Sequence, residues 1–153
     1  MTKEKRYEEL LPQVAALVDP AQQTVSVLAN VCAALHQAFD WFWTGFYVVG
    51  DDRKLHLGPF QGTPACYTIP YGRGVCGTAW QRGETVVVPD VEAFPGHIAC
   101  SSLSRSEIVV PLRDAGGRVR AVLDIDSTDL ATFDATDRQW LERIAATVAA
   151  AIY

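Results

Sequence analysis

Apolar positions along the chain follow two different periods. From about residue 21 to 39, Leu28, Cys32, Leu35 and Phe39 recur at helical spacing and make one apolar stripe. Residues about 3 to 17 carry a mixed helical pattern, in which Pro12 is expected to kink or break the helix. Trp41 to Val49 is aromatic and β-branched and predicts a strand, followed by a turn at Asp51-Asp52 and a second strand over Lys54 to Phe60. Gly62, Pro64, Pro70, Gly72, Gly74 and Gly77 punctuate a loop-rich middle from Gln61 to Pro89, with a short helix expected over Gly74 to Gln81 and a short strand over Thr85 to Val88. Pro89 to Ser106 has no clear period, and connections of that length are often functional. Glu107 to Arg113 and Arg118 to Ser127 read as a hairpin turning at Asp114 to Gly117. Asp134 should cap a last helix that carries Trp140, Leu141, Ile144, Val148 and Ile152 on one side. The expected class is α+β, an antiparallel sheet with the N- and C-terminal helices on one face and loops covering the other.

Period-two reading shows what the loop-covered face carries. Trp43, Gly45 and Tyr47 share one side of their strand, two large aromatics with a gap between them. In Arg118 to Asp126, Val119, Ala121, Leu123 and Ile125 make a core stripe, while Arg120, Val122, Asp124 and Asp126 face the other way. Asp is depleted in strands, and the two carboxylates at i and i+2 would sit roughly 7 Å apart on one face. One reading is an exposed, solvated sheet face. The other is a small cavity with aromatic walls and converging carboxylates, suited to a compact cationic or zwitterionic ligand. Glu107, at the start of the neighbouring apolar strand, could supply a third carboxylate. An acid crowded by others holds its proton more tightly and can serve as a general acid near neutral pH.

Charge supports that focus. The chain has 153 residues, 49% of them hydrophobic and 20% charged, with a net charge of −5. That length fits one domain, and the acidic balance argues against nucleic-acid or anionic-membrane binding. Residues 1 to 123 hold 11 basic and 12 acidic groups, whereas residues 124 to 153 hold 2 and 6. The acidic excess includes Asp129, Asp134 and Asp137 and begins at the strand pair Asp124 and Asp126. No stretch approaches the ~20 apolar residues of a membrane span, and the charged opening MTKEKRYEEL lacks a secretory signal's apolar core. There is no internal repeat, and the expected compartment is the cytoplasm.

Structural disulfides are uncommon there, so each of the four cysteines is inert core, metal ligand or redox group. Cys32 shares the stripe of Leu28 and Leu35 and reads as core. Cys66, Cys76 and Cys100 lie in Gly- and Pro-punctuated sequence with no CxxC or HxxxH spacing, although His97 could join Cys100 in a metal set. A redox role fits better, because an oxidised thiol needs a second thiol close by to form a disulfide. By local chemistry alone Cys76 would be the most acidic thiol, at a predicted helix N-terminus beside Arg73.

The runs LGPFQGTPAC (57 to 66), GRGVCG (72 to 77), FPGHIAC (94 to 100), SEIVVP (106 to 111) and VLDIDS (122 to 127) resemble the free methionine-(R)-sulfoxide reductases, stand-alone GAF-domain enzymes. The resemblance runs from about Trp43 to the C-terminal helix. It implies a single GAF domain over 1–153, with N-terminal helices in 1–39, sheet and active-site loops in 41–127, and the last helix in 134–152. It implies that Cys100 is the nucleophile, Cys66 the resolving thiol and Cys76 an accessory or alternative resolver, which overrides the local preference for Cys76. Trp43, Tyr47, Glu107, Asp124 and Asp126 match the family's pocket residues. Ser101 departs from the acidic residue that usually follows the GHIAC cysteine.

The expected reaction is reduction of the R-sulfoxide of free methionine, without cofactor or metal. Cys100 would attack the sulfoxide sulfur while Glu107 or one of the Asp pair protonates the oxygen; the resulting sulfenic acid would condense with Cys66, and thioredoxin would reduce the disulfide. The remaining carboxylates would bind the substrate ammonium and Trp43 the S-methyl group. A homodimer is the assembly the resemblance suggests. The alternative is a non-catalytic GAF sensor, which 153 residues leave no output domain to serve and which has no use for three redox cysteines. A general thiol peroxidase would use the cysteines but not the aromatic and acidic pocket.

Overall fold

Antiparallel pairing organises the whole chain. The computed structural model describes Met1–Tyr153. Helices α1 (Lys3–Leu17) and α2 (Thr24–Phe39) lead into strands β1 (Trp43–Val49), β2 (Lys54–Gln61) and β3 (Thr68–Pro70). Helix α3 (Gly74–Arg82), β4 (Val86–Val88), a 3-10 turn at Val91–Ala93, β5 (Ser106–Arg113), β6 (Val119–Ser127) and α4 (Ala135–Ile152) complete the order. The six strands form one sheet in the order β3-β2-β1-β6-β5-β4, with every pair antiparallel. The expected α+β class is the class observed. None of the helices is long and apolar enough to cross a membrane.

Two cores flank the sheet. On one face α1, α2 and α4 bury Tyr7, Leu28, Cys32, Leu35, Leu141 and Ile144 against Phe46, Ile108, Val110, Leu123 and Ile125. On the other, α3 and the loops bury Val75, Cys76, Ala79 and Val91 against Trp43, Tyr47, Leu55, Val109 and Val122. The helical layer is tied across its ends by polar groups. Asp134 caps α4 by accepting from the N–H groups of Thr136 and Asp137, and Asp137 returns a carboxylate oxygen to the Asp134 N–H at 2.9 Å. The same buried Asp137 accepts from the Tyr7 hydroxyl at 2.6 Å and Lys3 Nζ at 2.6 Å, so it locks α1 onto α4. Asp137, one of the acids in the C-terminal excess, is therefore a buried tie.

Four local expectations are corrected. Helix α1 runs unbroken through Pro12, because Pro12 and Glu8, whose carbonyl it leaves unpaired, both face solvent. Trp41 lies outside β1, and its ring stacks on Phe39 at 4.3 Å in the helix-side core. Strand β3 and the 3-10 turn were not anticipated; each is only three residues long, too short to show a period. The pairing of β5 with β6 slips at Leu112/Arg113, so that Arg113 faces Val119 rather than Arg120. A bulge of this kind reverses which face the next residues take. Val119 accordingly joins the core under the loops, and Arg120 reaches Asp114 at 3.7 Å and lies over the Tyr153 ring of α4 at 4.9 Å. That removes the cation expected beside Asp124 and Asp126.

Candidate active site

Beyond that bulge the alternation of the central strands is regular and builds a polar floor. Trp43, Asp126 and Glu107 stand opposite one another across β1, β6 and β5. Gly45, Asp124 and Val109 make the next row, and Tyr47, Val122 and Pro111 the one after. Alternate rows point alike only at every second residue of each strand, so Trp43, Tyr47, Glu107, Asp124 and Asp126 emerge on the same side. They line one cavity with Cys76, His97, Cys100 and Ser101. The exposed-face reading of the two aspartates fails, since Asp124 is 5% exposed and Asp126 is half-buried in the same cavity.

The aromatic wall depends on Gly45. A methyl group there would come within 2.5 Å of both the Trp43 ring and Phe60 Cβ. Its absence lets the indole lie over the strand, stacked on Phe60 at 5.2 Å and on Tyr47 at 6.0 Å. Trp43 Nε1 donates to the Thr63 carbonyl at 2.9 Å, and the Tyr47 hydroxyl donates to the Cys66 carbonyl at 3.0 Å. Both bonds fasten the loop after β2 to β1. That loop places Cys66 against the loop after the 3-10 turn, and the structure holds a Cys66–Cys100 disulfide with Cα atoms 5.4 Å apart. Cys66 itself stands behind the wall, while its neighbours Pro64 and Ala65 and its partner Cys100 are on it.

Electrostatics divide the three acids. Like charges directly opposite one another on neighbouring strands repel, and Glu107 faces Asp126 in that way. Burial, followed by the negative charges of Asp124 and Asp126, holds the Glu107 carboxyl well above its usual range. Asp126 is likewise held well above its range by burial and then by Asp124. Burial also raises Asp124, but hydrogen bonds from Glu107 and Cys76 oppose the rise. Asp124 is therefore the member raised least, and Glu107 and Asp126 are the ones that hold their protons more tightly. Its Oδ1 is buried without a hydrogen-bond partner, and an unpartnered buried acceptor invites a donor from a ligand.

The same setting corrects the local reading of Cys76. Burial, then the charges of Asp124, Glu107 and Asp126, push its thiol well above the usual value. Lying 3% exposed in the apolar core under the loops, it gains nothing from Arg73 that offsets this, so the helix-end argument fails. Cys32 sits on the far side of the sheet, its thiol 3.2 Å from the Pro59 carbonyl and pushed up to about 12 by burial. It is core, as its stripe suggested.

Donor atoms of Cys76, Glu107 and Asp124 lie within 4.8 Å of one another. A metal could use that spacing only by displacing the protons that burial and neighbouring charge hold on Cys76 and Glu107. His97, considered from sequence only as a metal partner of Cys100, lies instead with Nε2 3.8 Å from Glu107 Oε1. Phe42, Thr63, Ile98 and Ser104 also line the cavity; Thr63 and Ile98 lie in the runs that carry the resemblance, while Phe42 and Ser104 had no sequence signal.

Known proteins resemble the chain over most of its length. The family described as GAF domain matches residues 21–152. GAF domain-containing protein A of Dictyostelium discoideum is 54% identical over 143 residues, covering 94% of this chain and 90% of its own. Free methionine-R-sulfoxide reductase of Escherichia coli (strain K12) is 44% identical over 147 residues, covering 95% and 88%. The X-ray structure of free methionine-R-sulfoxide reductase from Neisseria meningitidis in complex with its substrate is 54% identical, with a TM-score of 0.92 over 97% of this chain and 89% of that one.

Proposed function

The chain belongs to the GAF-domain family and, within it, to the free methionine-R-sulfoxide reductases, and from that premise we propose how its own residues divide the work. The protein reduces free L-methionine (R)-sulfoxide to L-methionine at the expense of thiols. The observation that carries the assignment of roles is the Cys66–Cys100 disulfide at the wall of a cavity floored by the buried Glu107 and Asp124 and the half-buried Asp126.

Cys100 is the nucleophile, because of the bonded pair it is the one on the cavity wall. Its attack on the sulfoxide sulfur needs the oxygen protonated, since oxide is a poor leaving group. Glu107 and Asp126 are the acids whose carboxyls are held well above their usual range, so they are the proton donors at hand; Glu107, with His97 beside it, is the acid we assign. Methionine departs and Cys100 is left as a sulfenic acid. Cys66 condenses with it, water leaves, and the observed disulfide is the product. Cys76, beneath the same cavity, is the alternative resolving thiol.

Asp124 anchors the substrate ammonium on its unpartnered oxygen, and Trp43 and Tyr47 enclose the S-methyl group and chain. Fixing ammonium, oxygen and methyl together selects one epimer. It also disfavours methionine sulfoxide within a peptide, whose nitrogen is a neutral amide. A thioredoxin-class dithiol returns Cys66 and Cys100 to thiols by exchange. The reaction belongs in the cytoplasm, where such a reductant is available, and a homodimer is the assembly we assign.

Two variants test the roles. Cys100→Ser should abolish methionine formation, and retained turnover would reverse the assignment. Cys66→Ser should yield about one methionine per enzyme and then stop, because the sulfenic acid lacks its partner. Full thioredoxin-dependent recycling in that variant would transfer the resolving role to Cys76.

A further inference from the structure

We propose that His97 is a proton relay between Cys100 and Glu107, taking the thiol proton as the nucleophile forms and handing it to the acid that protonated the sulfoxide. This rests on the reading of Glu107 as that acid. The problem it solves is electrostatic. Cys100 must lose a proton in a cavity floored by the Asp124 carboxylate, whose negative charge disfavours a thiolate. No Lys or Arg lines the cavity, and His97 is the one basic side chain on its wall.

Placement fits the role. His97 precedes Cys100 by three residues, and its N–H donates to the Phe94 carbonyl at 3.2 Å, a turn that shapes the loop. Nε2 lies 3.8 Å from Glu107 Oε1, so a shift of about 1 Å brings the pair to hydrogen-bond distance. The ring is 17% exposed, against 8% for the Glu107 side chain it approaches. The other two histidines pair with exposed aspartates at the surface, His36 with Asp40 and His56 with Asp52. The titratable groups that share the cavity with His97 are Glu107 on β5, Asp124 and Asp126 on β6, Cys76 on α3, Tyr47 on β1 and Cys100 on its own loop, and of these Glu107 is the one within 4 Å of its ring. Burial lowers the imidazole pKa, against the pull of Asp124, which favours the neutral ring a base requires.

The step balances within the site. The Cys100 S–H bond breaks and its proton moves to the imidazole, while the sulfur attacks the sulfoxide. The Glu107 O–H bond breaks and its proton goes to the sulfoxide oxygen, which transfers to Cys100 as the S–O bond to methionine breaks. Methionine sulfur gains two electrons and Cys100 sulfur loses two, giving thioether and sulfenic acid. The imidazolium then returns its proton to Glu107, so no proton is drawn from solvent.

Reduced protein mixed rapidly with free methionine (R)-sulfoxide, with methionine quantified over about pH 5 to 9, tests the relay. His97→Ala should slow methionine formation about 100-fold, with KM changed less than about threefold, and added imidazole should restore part of the rate. The limb on which the rate rises with pH should move to higher pH, toward the value of an unassisted Cys100 thiol. His97→Gln, which keeps the volume, should be as slow. A wild-type rate in both variants, or a loss that appears in KM and is not rescued by imidazole, overturns the relay. Glu107→Gln measured in parallel separates the two readings. If it is slow while the His97 variants are normal, only the relay fails; if it retains the wild-type rate, the assignment of Glu107 fails and the relay with it.

Discussion

Replacing Asp124 with Asn keeps the side chain's shape and removes its charge from the centre of the acid cluster. Asp124 Oδ1 is buried and unpartnered, so under the proposed role a substrate ammonium bound there would displace no protein hydrogen bond. A hydrogen bond to a charged group contributes about 1.5 to 3 kcal/mol, and each 1.4 kcal/mol is about tenfold in affinity. The KM for free methionine (R)-sulfoxide should therefore rise between about 10- and 150-fold. The N-acetylated sulfoxide has no ammonium to lose, so its kcat/KM should change less than about threefold, and the wild-type preference for the free amino acid should collapse. A second effect separates this from general damage. The Asp124 charge is, after burial, the largest influence raising both Glu107 and Asp126. Without it both acids lose their protons at lower pH, and the alkaline limb of the rate profile should move toward lower pH. Methionine release from each substrate, followed across pH, reads both effects. If the ratio of rates on free and acetylated substrate stays at the wild-type value in Asp124→Asn, the ammonium anchor is elsewhere.

Two further outcomes follow from packing and linkage. Gly45→Ala puts a methyl group 2.5 Å from the Trp43 ring and from Phe60 Cβ, and Phe60 Cβ, attached to its backbone, cannot swing aside. The cost should be about 1 to 3 kcal/mol, read as a lower urea midpoint at unchanged m-value, and an unchanged midpoint would contradict the close packing. The raised carboxyls give an inverted pH dependence: unfolded, they release protons near pH 4, whereas folded Glu107 and Asp126 keep them well above that. Their contribution is present below about pH 4 and declines as pH rises toward the folded values, because the native state then binds more protons than the unfolded one. Asp126→Asn should therefore gain stability relative to wild type on going from about pH 4 to 8, and a constant difference across that range would count against the shift.

The carboxylate floor was legible because period two survives in the middle of β6: Asp124 and Asp126 could point only one way, and Trp43 and Tyr47 likewise. The same rule misplaced Val119 and Arg120, since one residue of bulge reverses every later face and no residue type there announces it. Pro12 was misread because its tolerance depends on solvent at Glu8, which is a property of the helix's packing and not of its sequence. Cys76 shows the same limit for chemistry. A helix N-terminus is a local feature, but the burial and the three acids that outweigh it come from strands far along the chain. His97 was visible only as a neighbour of Cys100, and its proximity to Glu107 exists only once the loop folds over β5. The pairing of Cys66 with Cys100 followed from family resemblance, since spacing alone left three candidate thiols.

The most direct measurement uses resolved epimers of free methionine sulfoxide with the thioredoxin system, counting methionine formed against NADPH consumed. Reduction of the R epimer alone, with one methionine for each NADPH, is the predicted result. Equal turnover of the two epimers, or turnover of neither, would contradict the central claim that this acid-floored, disulfide-walled cavity reduces free methionine (R)-sulfoxide.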